Sequence, residues 1–268
     1  MRALLALFSA LLCVSPAAAM TLCIEDADYS PFILPDAPAQ HAGVLPALAM
    51  HAAEHTQQTL KLIRHPWKRC IDMVQKGQVD LILAAIWLPE RDVWGQYPKH
   101  ANAPSGPPDR SKRLWTAEYP VFVANNSSLD YDGKAFNATK VGLAGPPGYV
   151  VTKRLAAMGL LYAQPLMPFN GLRLVALERL DGYVVERHIG THLLYQQNLQ
   201  NKVRTLSPVF QRDDWYVVFS YPFAEQHPEQ VAAFYAALEQ ARERFGQALL
   251  ERHLKQAKRQ YSATTTPR

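Results

Sequence analysis

From residue 20 the chain repeats one pattern, and that pattern restricts the fold more than any other feature of the sequence. "TLCIED" reads as a strand, "GVLPALAMHAAEHT" as a helix, "LKLIRH" as a strand, "WKRCIDMVQKG" as a helix and "VDLILAAI" as a strand. Short apolar runs alternating with 3.6-period stretches make a β-α-β-α-β unit, which requires a parallel sheet with right-handed crossovers. "HANAPSGPPDRSKR" then interrupts the series with Pro, Gly and Ser, as a surface loop does. A second series follows. "KVGLAG", "DGYVVE" and "KVRTLSP" read as strands, and "YVVTKRLAAMG", "GLRLVALERL" and "HIGTHLLYQQNL" as helices. Two extended runs, "LWTAEYPVFVAN" and "WYVVFSYPF", bracket the second series, and a long helical stretch with Gly246 as a break closes the chain. The expectation is two α/β lobes, each a mostly parallel sheet with flanking helices. Lobe 1 spans 20–116 and 219–258 and lobe 2 spans 117–218, joined by two extended crossings near 115–123 and 215–221.

The first 19 residues, "MRALLALFSALLCVSPAAA", carry one Arg, an apolar run from Ala3 to Val14 and the small residues Ala17-Ala18-Ala19. This is the layout of a secretory signal cleaved near Ala19. Cys13 follows Leu11-Leu12, without the small residue a lipid-attachment site needs. The apolar run is about a dozen residues against the roughly 20 a spanning helix requires. A soluble protein exported to the periplasm is expected. The formal net charge is +5, and the basic residues form no stripe except in "HLKQAKRQYSATTTPR". No nucleic-acid partner is expected, and residues 259–268 read as a disordered, solvated tail. Two cysteines remain after the signal, Cys23 and Cys70. In an oxidising compartment such a pair reads as a disulfide, the alternative being two buried thiols. The topology favours the bond, because the crossover carrying Cys70 must pass over the strand carrying Cys23.

"HAAEH", His51 to His55, has the H-x-x-E-H order of inverted-motif zinc peptidases. Position argues against that reading. Ligands of open α/β sheets bind beyond the carboxyl ends of the strands, where this helix begins near Gly43, and a dozen residues carry its far end about 15 Å away. Leu45, Leu48, Ala49 and Ala52 form the core stripe, leaving the histidines at a solvated helix end. With no G-x-S-x-G, no Cys–His pair and no Gly-rich phosphate loop, the sequence offers no catalytic residue, metal site or cofactor site.

The loops at the ligand edge of lobe 1 read "DADYSPF", "RHPWKR" and "IWLPER". Each presents an aromatic: Tyr29 or Phe32, Trp67, and Trp87. Phe32 and Trp67 could equally cap the core. Trp87, following an apolar strand, is the least needed for packing and is expected to offer a flat surface to a ligand.

The exported N-terminus, "DYSPF", Gly43, "PWKRCIDMVQKGQVDLIL", "PERDVWGQYP", "LDGYVVE" and "YVVFSYPF" occur in the order that resembles the periplasmic solute-binding proteins of family 3, the amino-acid-binding type, in a divergent branch. The resemblance implies a type II two-lobed periplasmic-binding-protein fold, with a ligand between lobes that close by a hinge. It implies that Arg91 takes an α-carboxylate, for which a guanidinium fork suits better than an ammonium, and that Glu186 takes an α-amino group. The alternatives are a surface salt bridge for Arg91 and an exposed strand-end carboxylate for Glu186. Tyr149 stands at a helix N-terminus whose free N–H groups could hold an anion. The chain departs from plain amino-acid binders at "AAIWLPER", "AGPPGYVV" and the insertion "HANAPSGPPDRSKRLW". The implied function is a monomeric, non-enzymatic binding protein that captures a small polar solute for a separate membrane transporter of the ABC type or a receptor. Two alternatives are a dehydratase-like enzyme on the same scaffold and a signalling-only binding protein.

Overall fold

The computed structural model describes residues 19–35, 37–38 and 41–264. The expected signal segment lies outside the described residues except for Ala19. The first β-α-β-α-β unit comprises β1 (Met20–Glu25), α1 (Val44–His55), β2 (Leu60–His65), α2 (Trp67–Gln75) and β3 (Leu81–Ile86). β3 is a continuous apolar run, LILAAI, because both of its faces are covered. On one face lies α1, which buries Leu45, Leu48, Ala49 and Ala52 and packs against α7 (Pro228–Ala241). Gly43 opens α1 at φ 114, where a Cβ would stand 2.4 Å from the Phe32 carbonyl oxygen, so only glycine fits. On the other face α2 buries Cys70 and Val74. Cys70 is disulfide-bonded to Cys23 of β1, with 5.6 Å between Cα atoms, which pins helix to sheet.

The chain then forms a 3-10 turn (Pro89–Trp94), the inserted loop, and β4 (Trp115–Tyr119). It crosses at Pro120 into β5 (Val121–Ala124), β6 (Leu143–Ala144), α3 (Val150–Ala157), α4 (Pro168–Ala176), β7 (Gly182–Val184), α5 (Arg187–Gln196) and β8 (Val203–Thr205). β9 (Gln211–Phe219) returns, followed by α6 (Tyr221–Gln226), α7, a π-helical turn (Arg242–Gly246) and α8 (Gln247–Thr264). Gly246 lies in that turn, where a Cβ would press on the Trp115 ring at 3.1 Å.

The sheet of the first lobe has the order β2-β1-β3-β9-β4 and that of the second β6-β7-β5-β8. β1 pairs parallel with β2 and β3, and β6 parallel with β7. The crossing strands run antiparallel: β9 against β3 and β4, and β5 against β7 and β8. All of β9 lies in the first sheet, so the lobes exchange within 206–210 and not at 218 as the sequence suggested. The aromatic and β-branched run "WYVVF", expected within a crossing, pairs along its length with β3, and only Trp215 also pairs with β4, which takes the first half of β9. α8 continues helical to Thr264, into the segment expected to be disordered. No helix of the described residues is long and apolar enough to cross a membrane.

Candidate functional site

The carboxyl ends of β1, β2 and β3 face the N-termini of α3 and α5 across the gap between lobes. Helix N-termini and strand ends therefore converge on one cleft, as open α/β sheets dictate. Lobe 1 lines it with Glu25, Tyr29, Phe32, Trp67, Ile86 and Arg91, and lobe 2 with Gly148, Tyr149, Glu186 and Ile189. Tyr119 and Trp215, from the two crossing strands, form the back wall. The space among these side chains that the centres of water molecules can occupy is about 40 Å³.

Arg91 is 5% exposed although it carries a permanent charge. The 3-10 turn after β3 brings it back over the strand end, where Nη1 donates to the Ile86 carbonyl at 3.1 Å. Its guanidinium stacks 4.4 Å from the Trp94 ring, which Trp67 in turn meets edge-on at 6.1 Å. Nε has no hydrogen-bond partner, and the carboxylates of Glu90 and Asp213 act on the guanidinium without forming an ion pair with it. Burial holds its pKa below the usual range.

Glu186 is 2% exposed and caps α5, accepting from the backbone N–H groups of His188 at 2.7 Å and Ile189 at 3.0 Å. Burial outweighs these bonds and pushes its carboxyl up to about 8. Glu25, at the end of β1, accepts from the Tyr149 hydroxyl at 2.9 Å, and burial pushes it up to about 7. Tyr149 stacks on Tyr29 with ring centroids 5.8 Å apart. Phe32 forms the apolar floor, edge-on to Trp215 at 5.2 Å and to Trp115 at 5.5 Å. Trp215 donates through Nε1 to the Tyr119 hydroxyl at 2.7 Å.

The structure thus brings Tyr29, Phe32, Trp67, Arg91, Tyr149 and Glu186 to one cleft. Trp87 is a correction: it does not line the cleft. Side chains alternate along an extended chain, so Ile86 facing the cleft sends Trp87 to the opposite face. There its Nε1 donates to Asp92 at 2.6 Å and its ring lies 4.6 Å under the Lys99 ammonium, which also pairs with Asp92 at 3.0 Å. Trp87 anchors the inserted loop. The sequence reading missed Glu25, Tyr119 and Trp215. Glu25 could have been found as the residue ending a strand at the ligand edge, whereas the other two depend on the strand register Trp115↔Trp215.

The histidines of "HAAEH" sit at the C-terminal end of α1, and no group of three metal-ligating side chains occurs among the described residues. His55 is exposed and the His51 side chain is 42% exposed, its ring stacking on Phe245 with centroids 4.7 Å apart.

The family model of bacterial extracellular solute-binding proteins, family 3, matches residues 22–99. No curated protein matches the chain. Among solved structures, a histidine kinase sensor domain with similarity to periplasmic binding proteins superimposes with a TM-score of 0.66 at 18% identity, covering 89% of this chain and 96% of that one. A mutant of ArgBP from T. maritima gives 0.67 at 12% identity, covering 88% and 95%. The ancestral amino acid-binding protein AncCDT-1, a precursor of cyclohexadienyl dehydratase, gives 0.64 at 17% identity, covering 88% and 95%. The chain is therefore similar in sequence to family 3 extracellular solute-binding proteins over the first part of lobe 1, and through both lobes it has the two-lobed fold of periplasmic binding proteins.

Proposed function

We propose that the protein is exported to the periplasm and captures a small polar solute bearing a carboxylate, an amino acid or a related acid, in the interlobe cleft. The solute passes to a separate membrane component, an ABC-type permease or a receptor. The observation that carries this reading is Arg91: a buried guanidinium lining the cleft, with an unpartnered Nε and no ion pair to a carboxylate of the described residues. A buried charge outside an ion pair costs several kcal/mol unless a partner arrives. A ligand carboxylate supplies one, and the N-terminus of α3 behind Gly148 and Tyr149 faces the same space. Tyr29, Phe32 and Trp67 supply an apolar enclosure, and Glu186 is the acceptor for an ammonium group. The sensor-domain neighbour supports a receptor as the partner, and the amino-acid-binding neighbours support a transporter.

Titration calorimetry with a panel of amino acids and small carboxylates tests this. Arg91→Met should weaken the best ligand by a factor on the order of a hundred, the usual effect of truncating one partner of a buried, hydrogen-bonded charge pair. Equal affinity for wild type and variant rejects the assignment. A second reading, a dehydratase-like enzyme on this scaffold, is favoured by the two cleft carboxyls that hold protons near neutrality, as a general acid must. Turnover of a bound solute in the same titration would select it.

A further inference from the structure

We propose that the Glu25–Tyr149 contact is a proton-coupled latch, through which acidification of the surroundings favours closure of the lobes. This deepens the solute-capture reading and rests on it for its biological use. The two side chains come from opposite lobes, 124 residues apart in sequence: Glu25 ends β1 of lobe 1, and Tyr149 caps α3 of lobe 2. The hydroxyl donates to the carboxyl at 2.9 Å, and the Tyr149 ring stacks on Tyr29 of lobe 1. Two ion pairs that also link the lobes lie nearer solvent. Lys153 and Glu90 meet at 3.8 Å with both side chains more than half exposed, which contributes little. Arg187 and Glu118 pair at 3.0 Å beside the crossings, where Glu118 also takes Arg212. Glu25 and Tyr149 meet inside the aromatic enclosure.

Parting the lobes removes the Tyr149 ring and hydroxyl from Glu25 and admits water. The carboxyl then returns toward its ordinary 4.5, whereas in the closed cleft burial pushes it up to about 7 despite the Tyr149 hydrogen bond. The closed form thus binds more protons than the open form between these values. The closure equilibrium shifts toward closed as pH falls through about 7, by at most tenfold per pH unit, and the gain levels off near 4.5, up to about two orders of magnitude in all.

Several neighbouring groups bear on the sign. Asp26, next in the chain, raises the Glu25 carboxyl further, and the Tyr29 hydroxyl lowers it. His65 of β2 stands opposite Glu25 in the sheet register, and Arg91 and Glu186 line the same cleft. His188 of α5 lies edge-on to Phe32, and burial lowers its pKa, so its protonation opposes closure in acid. Glu186 acts in the same sense as Glu25 wherever opening exposes it. Variants separate these contributions.

The test uses the full chain without added solute. Small-angle scattering between about pH 8 and pH 5 reports the radius of gyration, and carboxyl carbon NMR follows the Glu25 signal, assigned by its loss in Glu25→Gln. The expected results are a radius that shrinks as pH falls, a Glu25 signal that titrates near neutrality, and a clearly smaller pH-dependent shrinkage in Glu25→Gln. Tyr149→Phe keeps the ring stack but removes the hydrogen bond, so it should be more open at pH 8 and raise the Glu25 titration. A Glu25 signal titrating in the ordinary carboxylate range overturns the proposal, as does a Glu25→Gln protein that contracts like wild type. A wild-type radius unchanged across the range overturns it too. Because no solute is added, failure of the latch leaves the Arg91 calorimetry to stand or fall separately.

Discussion

Replacing Glu186 by Gln isolates the cost of a buried carboxyl with unusual clarity. The side chain is 2% exposed, and both of its hydrogen bonds are to backbone N–H groups of α5, which an amide oxygen accepts equally well. The variant therefore keeps the cap and loses only the ionisation. In the unfolded chain the carboxyl titrates near 4.5, and in the folded protein near 8. A folded-state pKa raised above its unfolded value means that the native state binds more protons, so wild-type stability falls as pH rises between those values. The slope approaches 1.4 kcal/mol per pH unit, and the accumulated loss at pH 7 is about 3 kcal/mol. Glu186→Gln should accordingly be close to neutral at pH 4 and more stable than wild type by about 3 kcal/mol at pH 7. Glu25 shifts in the same direction, but it is present in both proteins and cancels in the difference. Urea unfolding at half-unit pH steps, read by far-ultraviolet dichroism, gives the two stability curves. If they run parallel, the carboxyl is not held protonated by burial and the reasoning fails.

Three further outcomes follow from the packing. Arg91→Met, expected to weaken solute binding, should raise the stability of the solute-free protein by about 1–2 kcal/mol, since an apolar chain of similar length replaces a buried unpaired charge; a lower urea midpoint contradicts this. Reducing the Cys23–Cys70 bond, or replacing both residues by Ser, should cost about 2–4 kcal/mol, measured by the same unfolding with and without reductant. Lys99→Met should release the inserted loop from Asp92 and Trp87, seen as faster proteolytic cleavage within 100–109, while solute affinity changes by less than about twofold.

Much of the cleft was legible because topology alone decides where strand ends gather. Once "TLCIED", "LKLIRH" and "VDLILAAI" are taken as parallel strands, Tyr29, Trp67 and Arg91 must lie near one edge, whatever their neighbours. Phase within an extended segment was not legible to the same degree. Trp87 is one residue beyond Ile86 and so points to the opposite face, where Asp92 and Lys99 hold it. Composition cannot supply that parity, and it is further obscured by the irregularity between Ile82 and Ala85, where Ala84 adopts φ 64. Glu25 was passed over because a carboxylate ending a strand ordinarily faces water, and only the arrival of Tyr149 from the other lobe encloses it. Tyr119 and Trp215 belong to strands read as linkers, and their direction follows from pairing partners far away in sequence.

The position of β9 has a consequence for how the molecule is made. It is inserted between β3 and β4, and β4 has β9 as its sheet neighbour. As the polypeptide emerges vectorially, β3 waits with a bare flank and β4 has nothing to bind until residues 211–219 appear. Lobe 2, continuous from 120 to 210, can meanwhile assemble from its own strands. The first lobe begins first and finishes last. During that interval its unpaired edge is a template for other chains. A nascent chain stalled before residue 211 should therefore be the aggregation-prone species, and a holdase that shields that open slot should matter more to yield than anything that assists the second lobe.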